Sequence, residues 1–214
     1  MTIAIATRTR DRILEASLAL FNEEGLAKVS THRIAAELGI SPGNLHYHFK
    51  AKQLIVGTLF RHFEERLSAC MEAAAEVDAL DDVWLSLHLA FEAVNAYRFV
   101  YRDVDYLLNE YPDLEARAQA LTARSLLAAR SLCSGLQGAG VIDAGVEEIE
   151  MLALQIVFST TCWFTFKRLT PKRSTAAVHA EPALAAYYTL TFLSPYVVGE
   201  ARDYLNYLRS KYLR

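Results

Sequence analysis

Residues Ser30 to Lys52, STHRIAAELGISPGNLHYHFKAK, leave the backbone few options. Thr31 or Ser30 is placed to cap a short helix, because a side-chain hydroxyl accepts one of the orphan N–H groups of the first turn. Ile34, Ala35 and Leu38 then form one apolar stripe. Gly39 stands where a left-handed residue ends such a helix. Ile40 plugs the turn, Ser41 caps again, and Pro42 falls at the first helical position, where a missing N–H costs nothing. Leu45 and Phe49 share the inward face of the second helix, at about 41–49. Gly43, Asn44, His46, Tyr47 and His48 are left on the remaining arc. Two short helices joined by a tight glycine-containing turn make a helix-turn-helix, whose second helix enters the major groove of DNA by its N-terminal residues.

The residue types fit that role. Gly43 leaves room for close approach to a base pair. Asn44 suits a bidentate contact to adenine, and His46 a donor contact to a guanine edge. Thr31, His32, Tyr47, His48, Lys50 and Lys52 fit phosphate contacts, which set register without reading sequence, and Arg33 is counted with them. His46 and His48 are two apart on a helix and diverge, so no metal site is expected from them, and no cofactor.

The stretch ILEASLALFNEEGLAKVSTHRIAAELGISPGNLHYHFKAKQLI resembles the DNA-binding domain of the TetR family of bacterial transcriptional regulators. The Gly25 break, the Thr31 cap, the Ala35-Ala36-Glu37-Leu38-Gly39 run and the Leu45-His46-Tyr47-His48-Phe49-Lys50 run carry the resemblance. The family pattern often has Tyr where His46 stands, a departure that bears on operator sequence. The resemblance implies base reading by Ser41, Gly43, Asn44 and His46, with Tyr47, His48 and Lys52 on the DNA backbone. It also implies a dimer and an effector site in the C-terminal part. FVYRDVDYLLNEYPDL and the RAQAL run after it resemble a subgroup of bacterial repressors and point to no ligand.

Charge is unevenly distributed. The chain of 214 residues has a net charge of −3, but residues 1–54 carry +2 and residues 55–214 carry −5. Phosphate attraction then comes from placement rather than bulk charge, and binding is expected to be salt-sensitive. Cys70, Cys133 and Cys162 are odd in number, far apart and without CxxC spacing. They read as free buried thiols in a reducing cytoplasm rather than a disulfide framework or zinc site. MTIAIATRTR has too short an apolar run for a signal peptide and reads as a flexible arm, with Arg8 and Arg10 in reach of DNA.

The rest of the chain reads as helical. A first helix spans about Thr7 to Glu24, with Ile13, Leu14, Ser17, Leu18 and Phe21 on one face. Another runs from Lys52 to about Glu76, the natural connector between the DNA-binding part and the body. Further segments are Val83–Tyr97, Phe99–Asn109, Leu114–Gln137 capped by Asp113, Val146–Arg168, and a last one from Pro182 that Pro195 and Gly199 bend or split. The polar, breaker-rich stretch is roughly 170–181. The predicted fold is all-α, with an N-terminal three-helix DNA-binding domain at 1–54 and a C-terminal helical ligand-binding and dimerisation bundle at 55–214.

Met151 to Phe166 carries no charge for 16 residues, and Pro182 to Gly199 none for 18. A spanning helix needs about 20 mostly apolar residues, so burial against a partner copy is the expected reading, and no membrane. Leu154, Phe158, Cys162, Tyr187 and Leu190 are the candidate dimer residues, with burial inside one subunit the competing explanation. The middle of the chain is rich in rings. Trp84, His88, Phe91, Tyr101, Tyr106, Trp163 and Phe166 are candidate contacts for a small apolar or aromatic effector, against the alternative that these rings are simply core. No GxSxG, HExxH, P-loop or GxGxxG motif is present, and Asp103 and Asp105 diverge on a helix, so no enzyme is expected. The expected function is a cytoplasmic, homodimeric, ligand-responsive regulator, a repressor on a palindromic double-stranded operator. The alternative is a DNA-binding structural or partner-gated protein without a small ligand.

Overall fold

The structure, a computed structural model, describes residues 2–73, 79–170 and 181–212. Among them there is no strand, and one isolated bridge joins Ile142 and Val197. Packing groups the chain into two units, Met1–Glu65 with Tyr97–Arg117, and Arg66–Ala96 with Ala118–Arg214. The division expected at 54/55 follows the DNA-binding motif. Packing differs from it, because residues 97–117 join the N-terminal helices.

In the N-terminal unit, α1 (Thr2–Glu24) packs on α2 (Thr31–Leu38) and α3 (Pro42–His48). Ile13, Phe21, Leu26, Ile34, Leu45 and Phe49 are buried between them. The helix α1 starts at Thr2, so the expected flexible arm is corrected to helix. The first glycine is Gly25 and no proline precedes it, so nothing interrupts the i to i−4 ladder. Gly25 ends α1 at φ +99, a backbone angle that side chains with a Cβ rarely adopt.

The connector helix α4 spans Lys52–Ala73, and its expected end at Glu76 lies outside the described residues. Residues expected as one helix, Phe99–Asn109, form α6 (Phe99–Arg102) and α7 (Val104–Glu110), broken at Asp103. At the break the Asp103 carboxylate accepts from the Leu26 N–H, 77 positions earlier, at 2.8 Å and from the Arg102 guanidinium. Pro112–Leu114 form a 3-10 turn, so the next helix begins at Glu115 rather than being capped by Asp113.

The C-terminal unit holds α5 (Leu80–Ala96), most of α8 (Glu115–Gly138), α9 (Val146–Leu169), α10 (Glu181–Leu190) and α11 (Ala201–Tyr212). Helix α5 packs on α9, α10 and α11. Their core includes Phe91, Leu132, Cys133, Leu152, Tyr187 and Leu190. The charge-free stretch after Pro182 is split as expected: α10 gives way to a 3-10 turn at Thr191–Leu193, and Gly199 takes φ +59 before α11. The polar stretch expected near 170–181 lies outside the described residues apart from its ends.

Candidate nucleic-acid interface

Both short helices are capped as their sequence requires. The Ser30 hydroxyl accepts from the Arg33 N–H at 3.1 Å, so Ser30 rather than Thr31 is the cap of α2. The Ser41 hydroxyl accepts from the Asn44 N–H at 3.1 Å, with Pro42 opening α3. Gly39, at φ +64, closes α2: its N–H and that of Ile40 reach the carbonyls of Ala36 and Ala35. This fixes the turn between the helices, and the burial of Leu45 and Phe49 (each 1% exposed) fixes the rotation of α3. Ser41, Gly43, Asn44 and His46 are consequently all exposed. Tyr47 is 80% exposed, its ring edge-on to His48 at 5.2 Å. A tyrosine held that far into solvent contributes little to the core.

An open groove of about 600 Å³ runs beside α3, walled by Thr31, His32, Gly43, His46, Lys50 and Lys52 among others. Most of the predicted DNA-facing residues therefore share one face. Two do not stand free there. The Arg33 guanidinium binds Glu24 at 2.8 Å and Glu37 at 2.8 Å, and those hydrogen bonds, Glu37 first, hold its pKa above the ordinary value. Lys52 turns inward, donating from Nζ to the Leu26 carbonyl at 2.6 Å and lying 5.6 Å from the Phe21 ring. Burial lowers its pKa, opposed by the charge of Glu110. Arg33 thus also clasps α1 to α2. Lys52 Nζ is already engaged by one backbone carbonyl. Arg10 is engaged likewise: its guanidinium lies 4.1 Å over Phe49 and donates to the His48 carbonyl at 3.1 Å, capping the end of α3.

Sequence reasoning missed a support beneath these helices. Arg102 donates to the carbonyls of Phe21 and Asn22, both at 2.6 Å, in the last turn of α1, where the Phe21 carbonyl also accepts from the Gly25 N–H. A cation there also opposes the negative end of the helix dipole. Asn22 Oδ1 accepts from the Phe99 N–H at 3.1 Å. The sequence reading singles out Asp103 only as half of a diverging pair with Asp105 and does not single out Arg102.

The candidate effector residues separate. Trp84, His88, Phe91 and Trp163 belong to the C-terminal unit, joined by ring contacts. Tyr101 and Tyr106 belong to the N-terminal unit. There Tyr101 packs on Phe63 at 5.5 Å, and Tyr106 lies 5.8 Å from Lys52 Nζ. Phe166 is 60% exposed, so it is corrected from interior to surface. Of the candidate dimer residues, Leu154 and Phe158 are exposed and Cys162 is partly so. Tyr187 and Leu190 are corrected to core residues of one subunit, because α10 packs both into the helices around it. Cys133 is a buried free thiol as expected, whereas Cys70 and Cys162 are only partly buried.

A capped helix-turn-helix together with an all-helical remainder defines a helix-turn-helix protein of the regulatory class. Residues 13–57 match the family described as bacterial regulatory proteins, tetR family, and residues 62–205 match the one described as bacterial transcriptional repressor, TetR. A TetR-family transcriptional regulator from Marinobacter aquaeolei VT8 is 33% identical, with a TM-score of 0.84 over 95% of this chain and 98% of that one. The chain belongs to the TetR family. Among curated relatives, Probable HTH-type transcriptional regulator YttP of Bacillus subtilis (strain 168) is 30% identical over 45% of this chain and 50% of that protein. HTH-type transcriptional repressor KstR2 of Mycolicibacterium smegmatis is 26% identical over 50% and 54%. The chain spans about half the length of these curated relatives.

Proposed function

We propose that this protein is a cytoplasmic homodimeric repressor, a binding protein rather than an enzyme. It holds a palindromic DNA operator with residues 1–54 and leaves it when a small apolar or aromatic effector binds within residues 55–214. The observation that carries the reading is α3: one face is locked into the core by Leu45 and Phe49, and the opposite face offers Ser41, Gly43, Asn44 and His46 to a base-pair edge. Tyr47, His48, Thr31, His32 and Lys50 flank that face as phosphate contacts.

The dimer is supported by α9. Met151, Leu154, Phe158, Phe166 and Leu169 are all more than half exposed, at spacings that put them along one stripe. The opposite side of the same helix, with Ile149, Leu152, Ala153 and Ile156, is buried. By length and composition α9 is also able to cross a membrane. Glu147, Glu148 and Glu150 at its start and a half-buried face suit a second copy better. Effector control requires a ligand that binds the non-DNA-binding conformation more tightly than the other.

Hydroxyl-radical footprinting on a duplex enriched by the protein tests this reading. Two protected patches related by a two-fold axis, about one DNA turn apart, are expected. A single patch, or unbroken protection, contradicts a dimer reading two half-sites.

A further inference from the structure

Among the described residues, the buried side-chain nitrogen and oxygen atoms without a hydrogen-bond partner are Trp84 Nε1, His88 Nδ1 and Trp163 Nε1. All three belong to one continuous run of ring contacts. Trp84 stacks on His88 at 5.1 Å and on Tyr212 at 6.4 Å. Trp163 meets Phe91 edge-on at 6.1 Å and Tyr188 at 5.6 Å. Tyr187 joins the two ends, 5.6 Å from Tyr212 and 5.8 Å from Tyr188. On α5, Trp84, His88 and Phe91 are spaced i, i+4, i+7, which places them on one face. Folded proteins leave few buried polar groups unpaired, since each one left so is destabilising. Three gathered in one aromatic cluster call for a common partner.

Their chemistry describes that partner. An indole N–H only donates, so Trp84 and Trp163 each ask for an acceptor. His88 Nε2 lies 3.4 Å from a Glu92 oxygen. Nδ1 is the ring atom left without a partner, and a hydroxyl, which can donate or accept, suits it in either tautomer. The Glu92 carboxylate beside His88 disfavours an anion at that end. The rings supply flat apolar walls, and Tyr188, 38% exposed, stands at the solvent edge.

We infer that this cluster binds a neutral, flat, mostly apolar ring compound that carries carbonyl-type oxygens for the two indoles and one hydroxyl for His88. The inference rests on the effector reading above and specifies its ligand class.

Trp84 and Trp163 are the chain's two tryptophans, so tryptophan fluorescence, excited at wavelengths that tyrosine does not absorb, reports on the cluster alone. The full-length protein is titrated with methyl 6-hydroxy-2-naphthoate and, separately, with 2-ethylnaphthalene, by fluorescence and calorimetry. The hydroxy ester is expected to bind at least about tenfold more tightly, since it pairs groups the hydrocarbon leaves unpaired. Trp163→Phe keeps a ring but removes the donor. It is expected to erase most of that preference, read as the ratio of the two affinities. Trp84→Phe is an independent second variant with the same expectation. Equal affinity for the two compounds, no binding of either up to its solubility, or an unchanged preference in both variants overturns the inference. A gel shift on selected DNA separates the two readings. DNA binding without hydroxy-ester binding overturns the ring-compound site alone, and hydroxy-ester binding without DNA binding upholds the site and overturns the regulator reading.

Discussion

Asn44 and Tyr47 sit three residues apart on α3, and chemistry divides their work. Asn44→Ala is expected to relax preference at one or two base positions by about 1–3 kcal/mol if its contact is bidentate. Binding to a panel of single-base operator variants checks this, and an unchanged preference profile puts the side chain elsewhere. Tyr47→Ala should instead weaken binding to every variant by a similar factor, because a phosphate contact carries no base information. Losses that differ from base to base would place Tyr47 on a base edge. A third residue tests the core. Burial pushes the Cys133 thiol up to about 11, so its thiolate is scarce at neutral pH. Cys133 should resist a thiol reagent in the folded protein and react once denatured, as peptide mapping after labelling would show. At this scale the sequence displayed which side chains have DNA-binding chemistry, but not which are already engaged. Arg33, Lys52 and Arg10 all look like phosphate ligands in one dimension. Glu37 is an i, i+4 neighbour of Arg33 within α2, but the other partners, Glu24, the Leu26 carbonyl and the Phe49 ring, lie 9 to 39 positions away and appear only when the helices pack.

Among elements, the coupling of α6 to α1 matters most. Arg102, with a side chain 10% exposed, supplies donors to the last turn of α1, and Asp103 holds the first N–H after Gly25. Arg102→Ala is expected to lower stability by roughly 1.5–3 kcal/mol, the range for hydrogen bonds to a charged group. Urea denaturation measures it, and a loss below a few tenths of a kcal/mol would mean that water replaces the guanidinium. Helix existence was legible throughout, because apolar spacing, caps and breakers are local signals. Ser41-Pro42 and Gly39 mark α3 and the end of α2 to the residue. The break between α6 and α7 was not legible. It depends on Asp103 finding a backbone N–H 77 positions earlier, a contact with no local signature.

For the molecule as a whole, association and DNA reading are linked, because two recognition helices must be held at a fixed spacing. Phe158, 66% exposed at the middle of the α9 stripe, is the position to test. A charge there is tolerated by an exposed site in a lone subunit but not inside an apolar interface. Phe158→Glu should therefore keep its helical spectrum and sediment as a monomer, and a variant that still sediments as a dimer would place the interface elsewhere. The all-α class was readable from uninterrupted helical periodicity. The partition of apolar residues was not: Tyr187 and Leu190 look as suited to an interface as Leu154 and Phe158. Only the packing of α10 among α5, α9 and α11 separates core from free surface. The measurement that bears most directly on the whole account is selection of bound duplexes from a random pool by the full-length protein at fixed, near-physiological salt. Enrichment of a palindromic motif is the predicted result. Recovery of no motif, with binding that depends on salt alone, would contradict sequence-specific recognition by a dimer.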